Sequence, residues 1–162
     1  MQRIAAMTSQ RWKATLRILP LSVVGLLVLA QLFPYGRDHR NPPVAAEPSW
    51  DQPSTRALAA RACFDCHSNE TRWPWYSHLA PMSWLVQNHV DEGRETLNFS
   101  QWNRAYKEAH EASETVLEGS MPPSSYVLLH PDARLQPAER SELARGLDAT
   151  LGVTRSSAHH DD

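Results

Sequence analysis

Cys63-Phe64-Asp65-Cys66-His67 holds the only two cysteines of this 162-residue chain, three positions apart, with a histidine directly after the second. A Cys-x-x-Cys-His run is the attachment signature of c-type haem. Two thiols at this spacing can add to the two vinyl groups of one haem, and the next side chain is an imidazole that can take the iron. Three rival readings share the cysteine pair: a thioredoxin-like redox couple, half of a zinc site and a local disulfide. Zinc requires two further ligands. There is no third cysteine, and His78 and His89 fall at a spacing that matches no common zinc pattern. A thioredoxin-like pair sits between a strand and a helix, whereas Ser54 to Ala62 consists of helix formers. No alternation of polar and apolar residues marks a strand anywhere, so the chain reads as all-α.

Upstream, residues 1–17 carry Arg3, Arg11, Lys13 and Arg17 and no acid, and Ile18 to Phe33 is almost wholly apolar. A basic flank before an apolar run is the form of an export signal or of a short membrane anchor. The expected arrangement is a cytoplasmic flank and transmembrane anchor over 1–33. Everything after it then faces the bacterial periplasm from the inner membrane, in a single pass. Cleavage after Ala30, within Val28-Leu29-Ala30, is the alternative and leaves a soluble periplasmic protein. Both place the cysteines in the oxidising compartment where haem is attached.

Residues 34–53 hold five prolines and a glycine and read as a linker. The domain then extends over 54–152, and 153–162 reads as a disordered polar tail, with His159 and His160 in it. Within the domain, Ser54 is expected to cap a helix over 55–62 that ends at the cysteine motif. Residues 68–80 read as irregular, a second helix as 81–97, and a third as 101–118 capped by Ser100 and ended by Gly119. Residues 120–125 read as a loop, and Pro137 opens a last helix to Leu151 with a Leu143, Leu147, Leu151 core stripe. All 18 acidic and 12 of the 16 basic residues lie in 31–162, which gives that part a net charge near −6. Nucleic-acid binding needs a basic face and is not expected. A domain this small builds a limited core, so one covalent haem is expected to supply much of it, and the haem-free chain is expected to fold poorly.

An electron-carrying haem iron takes a second axial ligand, commonly a methionine sulfur opposite the histidine. Met121, in Gly119-Ser120-Met121-Pro122-Pro123, lies far enough downstream for the chain to wrap to the other face. The prolines fix the backbone beside its sulfur. Met82, and His78, His89, His110 and His130, are the alternatives. Trp73, Trp75, Tyr76 and Trp84 are candidates to pack on the porphyrin, and Arg72 and Arg94 to pair with propionates.

Ala62-Cys63-Phe64-Asp65-Cys66-His67 through Arg72-Trp73-Pro74-Trp75-Tyr76-Ser77, then Ala80-Pro81-Met82-Ser83-Trp84, His89-Val90-Asp91-Glu92-Gly93-Arg94, Leu97-Asn98-Phe99-Ser100-Gln101-Trp102 and Gly119-Ser120-Met121-Pro122-Pro123, resembles the small bacterial haem-binding domain family. Tyr35 to Val44 also looks like that family's segment before the motif. The resemblance implies a small cytochrome c-like helical domain behind a membrane helix. It implies haem c on Cys63, Cys66 and His67, and Met121 as distal ligand. It suggests electron transfer with redox partner proteins whose identity it leaves open. A carrier with both axial sites closed is favoured over an enzyme. A peroxidase-like enzyme using His110 or Glu108, or a gas or redox sensor with a labile distal ligand, is the competing class.

Overall fold

The computed structural model describes residues 19–152. The basic residues at 3, 11, 13 and 17 and the histidines at 159 and 160 lie outside that range. The described chain is all-α. Helix α1 covers 19–30. It is followed by α2 (Pro53–Ala62), α3 (Phe64–His67), α4 (Met82–Thr96), α5 (Ala112–Glu118), α6 (Ser124–Leu129) and α7 (Pro137–Leu151). Short 3-10 turns cover Trp75–His78, Lys107–Glu111 and Pro131–Ala133. Among the described residues the nearest thing to a strand is one parallel bridge between Ala46 and Gln101.

These elements form two compact units. Residues 19–39 and Pro74–Gln87 make one; Arg40–Trp73 and residues 88–152 make the other. In the first, the Gln31 side chain closes the end of α1. Its amide nitrogen donates to the carbonyls of Leu27 and Ala80, at 2.9 and 2.8 Å. Its oxygen accepts from the Ala80 N–H and from Arg37. Phe33 meets Trp84 edge to face. Leu19, Leu21, Leu26 and Leu29 of α1 are exposed. No helix among the described residues is long and apolar enough to cross a membrane. The expected anchor also includes Ile18 and the flank before it, which are outside the described residues.

The second unit holds the main core. Leu143, Ala144 and Leu147 of α7 pack with Ala59 and Ala62 of α2 and Val116 of α5, joined by Phe64, Leu97, Phe99 and Leu135. The α7 stripe and both ends of that helix follow the sequence. Pro137 presets the first turn, Gln136 and Glu139 form a capping box, and Gly152 closes the helix at a φ of 69°. Gly119 ends α5 in the same left-handed conformation.

Several expectations are corrected. Helix α2 starts at Pro53 with Gln52 as N-cap, not at a Ser54 cap, because the proline ring already fixes a helical φ at the first position. The third helix shrinks to α5. Ser100 is buried, its hydroxyl accepting the Asn69 N–H at 3.0 Å, and the Trp102 N–H is taken by the Ala46 carbonyl at 2.9 Å. The Ser100 carbonyl, which would accept the first bond of a helix capped there, instead takes the Ala45 and Ala46 N–H groups at 2.9 and 3.3 Å. Trp102 and Tyr106 instead continue a row of rings with Phe99. Ser124 and Ser125, expected in a loop, open α6. The proline-rich segment is irregular up to α2, and from Asn41 onward it is packed into the second unit. Asn41 donates to the Thr71 carbonyl, the Pro43 carbonyl accepts from Asn69, Glu47 pairs with Arg56 at 2.7 Å, and Trp50 packs on Phe64 and Phe99.

Candidate haem site

The motif is built as a break between two helices. The Cys63 N–H closes α2 on the Ala59 carbonyl at 2.8 Å, and the Cys63 carbonyl then accepts the N–H groups of Cys66 and His67, at 3.1 and 2.9 Å. The single turn α3 that results places the two thiols three residues apart with His67 at its end. Both cysteines are free and half-buried.

His67 is held from behind. Its Nδ1 lies 3.0 Å from the carbonyl oxygens of Gly93 and Leu97, both at the end of α4. Two carbonyls accept and cannot donate, so the ring proton sits on Nδ1 and Nε2 keeps a bare lone pair. That is the tautomer a metal-ligating histidine needs, oriented by its other nitrogen. Burial pushes the His67 pKa below its ordinary value of 6.5, against the two carbonyl hydrogen bonds, which raise it. The folded protein therefore rejects a proton that the unfolded chain binds. Stability is full above about pH 6.5 and declines as the pH falls from there toward the folded value.

Burial also pushes the thiols up, Cys63 to about 12 with Cys66 adding to it, and Cys66 to about 11 with Asp65 adding and Arg94 opposing. These are protonated thiols at neutral pH, unlike the low-pKa thiolate of a thioredoxin-like pair. No cluster of three metal-ligating side chains lies near them among the described residues.

Behind α3 runs a buried polar frame. The Ser68 hydroxyl donates to the Phe64 carbonyl, Asn98 donates to Asn69, and the Ser100 N–H donates to the Asn98 side chain. The Phe99 N–H donates to the His67 carbonyl at 2.8 Å. Gly93 belongs to this frame as well: a Cβ there would stand 2.5 Å from the Cys66 carbonyl oxygen.

The two arginines offered for propionates are engaged with protein. Arg72 pairs with Asp65 at 3.1 Å. Arg94 donates to the Ser68 and Arg40 carbonyls and to Asn41 and Thr71. Of the aromatic candidates, Trp73 donates to the Asn41 side chain, and Trp75 is 75% exposed. Trp75, Tyr76 and Trp84 belong to the first unit. Met121 is 38% exposed, its N–H on the Thr115 carbonyl at 3.1 Å. Leu117, Leu128 and Leu129 around it in sequence are exposed too. Among the alternative ligands, His78, His89 and His110 are exposed, Met82 is half-buried in α4, and His130 stacks on Tyr126. His110 and Glu108 lie in the exposed Lys107–Glu111 turn, where His110 faces Glu111.

Sequence reasoning missed Asn69, Asn98, Gly93 and Tyr126. Gly93 alone carried a signal, as a glycine inside an amphipathic helix with no turn to explain it.

Two unbridged thiols, a neutral imidazole with one free nitrogen, and an exposed methionine with exposed leucines near it in sequence fit an iron porphyrin. Fold and site thus define a small all-α haem-binding module. The chain belongs to the haem-binding domain family, whose model matches residues 25–149. No curated protein and no solved structure matches it significantly.

Proposed function

We propose that the protein carries one covalent haem c, joined to Cys63 and Cys66, with His67 as proximal and Met121 as distal ligand. Its work is electron transfer with redox partner proteins. The observation that carries this reading is the α3 turn: two thiols on one helical turn, followed by an imidazole whose Nδ1 is already committed to two carbonyls. A bound haem supplies a one-electron couple of its iron. The chain's part is to anchor it, to keep the imidazole neutral and aimed, and to present a thioether on a loop stiffened by Pro122 and Pro123. Ligands on both axial positions leave no place for a substrate, which favours a carrier over an enzyme. The basic flank and apolar run ahead of Phe33 support a single-pass tether in the bacterial inner membrane with the haem domain in the periplasm, or release near Ala30.

The test is a spectrum of the oxidised and reduced protein matured with c-type machinery, then denaturation. Haem should stay on the polypeptide and the oxidised form should show a methionine–iron charge-transfer band. Met121→Ala should keep the covalent haem, lose that band and bind carbon monoxide when reduced. A variant with an unchanged spectrum would remove Met121 from the iron. Absence of covalent haem in the parent protein would end the whole reading.

A further inference from the structure

One side-chain network links the attachment turn to the segment that carries Met121. Asp65, between the two cysteines, has a side chain only 10% exposed. Its Oδ1 accepts from the Arg72 backbone N–H at 3.0 Å and from Arg72 Nε at 3.1 Å. Its Oδ2 accepts from Arg72 Nη2 at 3.1 Å and from the Tyr126 hydroxyl at 2.5 Å. Tyr126 lies in α6, five residues past Met121, with the stiff Pro122-Pro123 pair between them. Its ring stacks on His130, with centroids 4.2 Å apart. Burial and the Asp65 carboxylate push its phenol far above the usual range, so it remains a donor at every working pH. None of the α6 side chains is fully buried, and Leu128 is 78% exposed.

We propose that Tyr126 is a positioning residue for the distal ligand: its hydrogen bond to Asp65 keeps the Met121 loop in register with the attachment turn and sets how readily the thioether leaves the iron. This rests on the reading of Met121 as distal ligand. The physical reason is a two-state loop. An external ligand reaches the iron only when the loop is open, and a hydrogen bond to a charged acceptor biases the closed form by about tenfold or more. Arg72 is part of the device, because it holds the carboxylate in the orientation that Tyr126 needs.

The experiment is carbon monoxide binding to the reduced, haem-loaded protein, measured for the parent and four variants alongside thermal melts. Tyr126→Phe should retain covalent haem and bind carbon monoxide about tenfold faster than the parent. Asp65→Asn, which keeps the shape and removes the charge, should also be faster and decides the matter if Tyr126→Phe fails to mature. Ser113→Ala removes a buried hydroxyl that donates to Asp148 between α5 and α7. It should lower the melting temperature and leave the binding rate alone, which separates loop positioning from general destabilisation. Met121→Ala should be the fastest. Parent-like rates for Tyr126→Phe and Asp65→Asn beside a fast Met121→Ala would overturn the positioning role and leave the ligand standing. A Ser113→Ala rate raised as much as that of Tyr126→Phe would overturn it as well. A Met121→Ala protein that binds carbon monoxide as slowly as the parent would overturn the ligand reading, and the role of Tyr126 with it.

Discussion

Gly93→Ala should destabilise the haem-loaded protein by roughly 2–4 kcal/mol and disturb the setting of His67, the proposed proximal ligand. On an exposed helical surface the same change stabilises, by about 1 kcal/mol, because alanine is the better helix former. Here the added methyl would meet the Cys66 carbonyl oxygen at 2.5 Å and the Cys66 carbonyl carbon and Cβ at 3.0 Å. These atoms belong to the attachment turn and have no rotamer to escape into, so α4 must back away. Moving α4 carries off the Gly93 and Leu97 carbonyls that hold His67 Nδ1. Overpacking costs about 1–3 kcal/mol and each lost hydrogen bond about 1 kcal/mol, which together outweigh the propensity gain. The lower denaturation midpoint should come with an altered absorption spectrum, since the imidazole loses its fixed orientation. Glu92→Ala, one residue away and exposed, should be close to neutral in both measurements. A Gly93→Ala protein more stable than the parent, with the parent's spectrum, would show that α4 does not bear on the motif this closely.

What the sequence discloses and what it hides divide along contact range. Haem binding is legible because the Cys63, Cys66 and His67 pattern proposed to hold it is local in the chain. Helices α4 and α7 are legible because Pro81, Pro137 and an apolar period mark them locally, and Gly119 because a left-handed cap favours glycine. The segment from Phe99 to Glu111 misleads for a physical reason. Trp102, Tyr106 and Ala109 fall at helical spacing, but the Ser100 carbonyl that would accept the first helical bond is claimed by the Ala45 and Ala46 N–H groups, more than fifty residues back. Aromatic stacking then fixes an irregular path that no local propensity encodes. The arginines mislead in the same way. Arg72 and Arg94 have the right chemistry for propionates, and only the fold reveals that Asp65 and the Ser68 carbonyl engage them. Tyr126 gives no sign at all in the sequence, because its partner lies 61 positions away.

Phe99→Ala should cost about 3–5 kcal/mol, a large share of the roughly 5–15 kcal/mol that a domain of this kind has. Phe99 is 1% exposed and stands at the centre of a ring assembly, with Trp50 at 5.2 Å, Phe64 at 5.7 Å and Trp102 at 6.3 Å between centroids. Deleting the ring removes the apolar area it buries and leaves a cavity that three neighbouring rings cannot close, because each is tethered elsewhere. Trp50 donates to Glu47, Phe64 belongs to the attachment turn, and Trp102 stacks on Tyr106. The backbone N–H of residue 99 survives the change and still donates to the His67 carbonyl. Stability and ligation should therefore separate. The denaturation midpoint should fall sharply, while the native protein should keep its haem with the absorption spectrum of the parent, whose proposed ligands are His67 and Met121. Phe99→Leu fills part of the cavity and should lose clearly less. An altered spectrum in both variants at temperatures where they remain folded would mean that the aromatic core acts on the haem site directly, and that the polar frame of Ser68, Asn69 and Asn98 does not insulate the site from it.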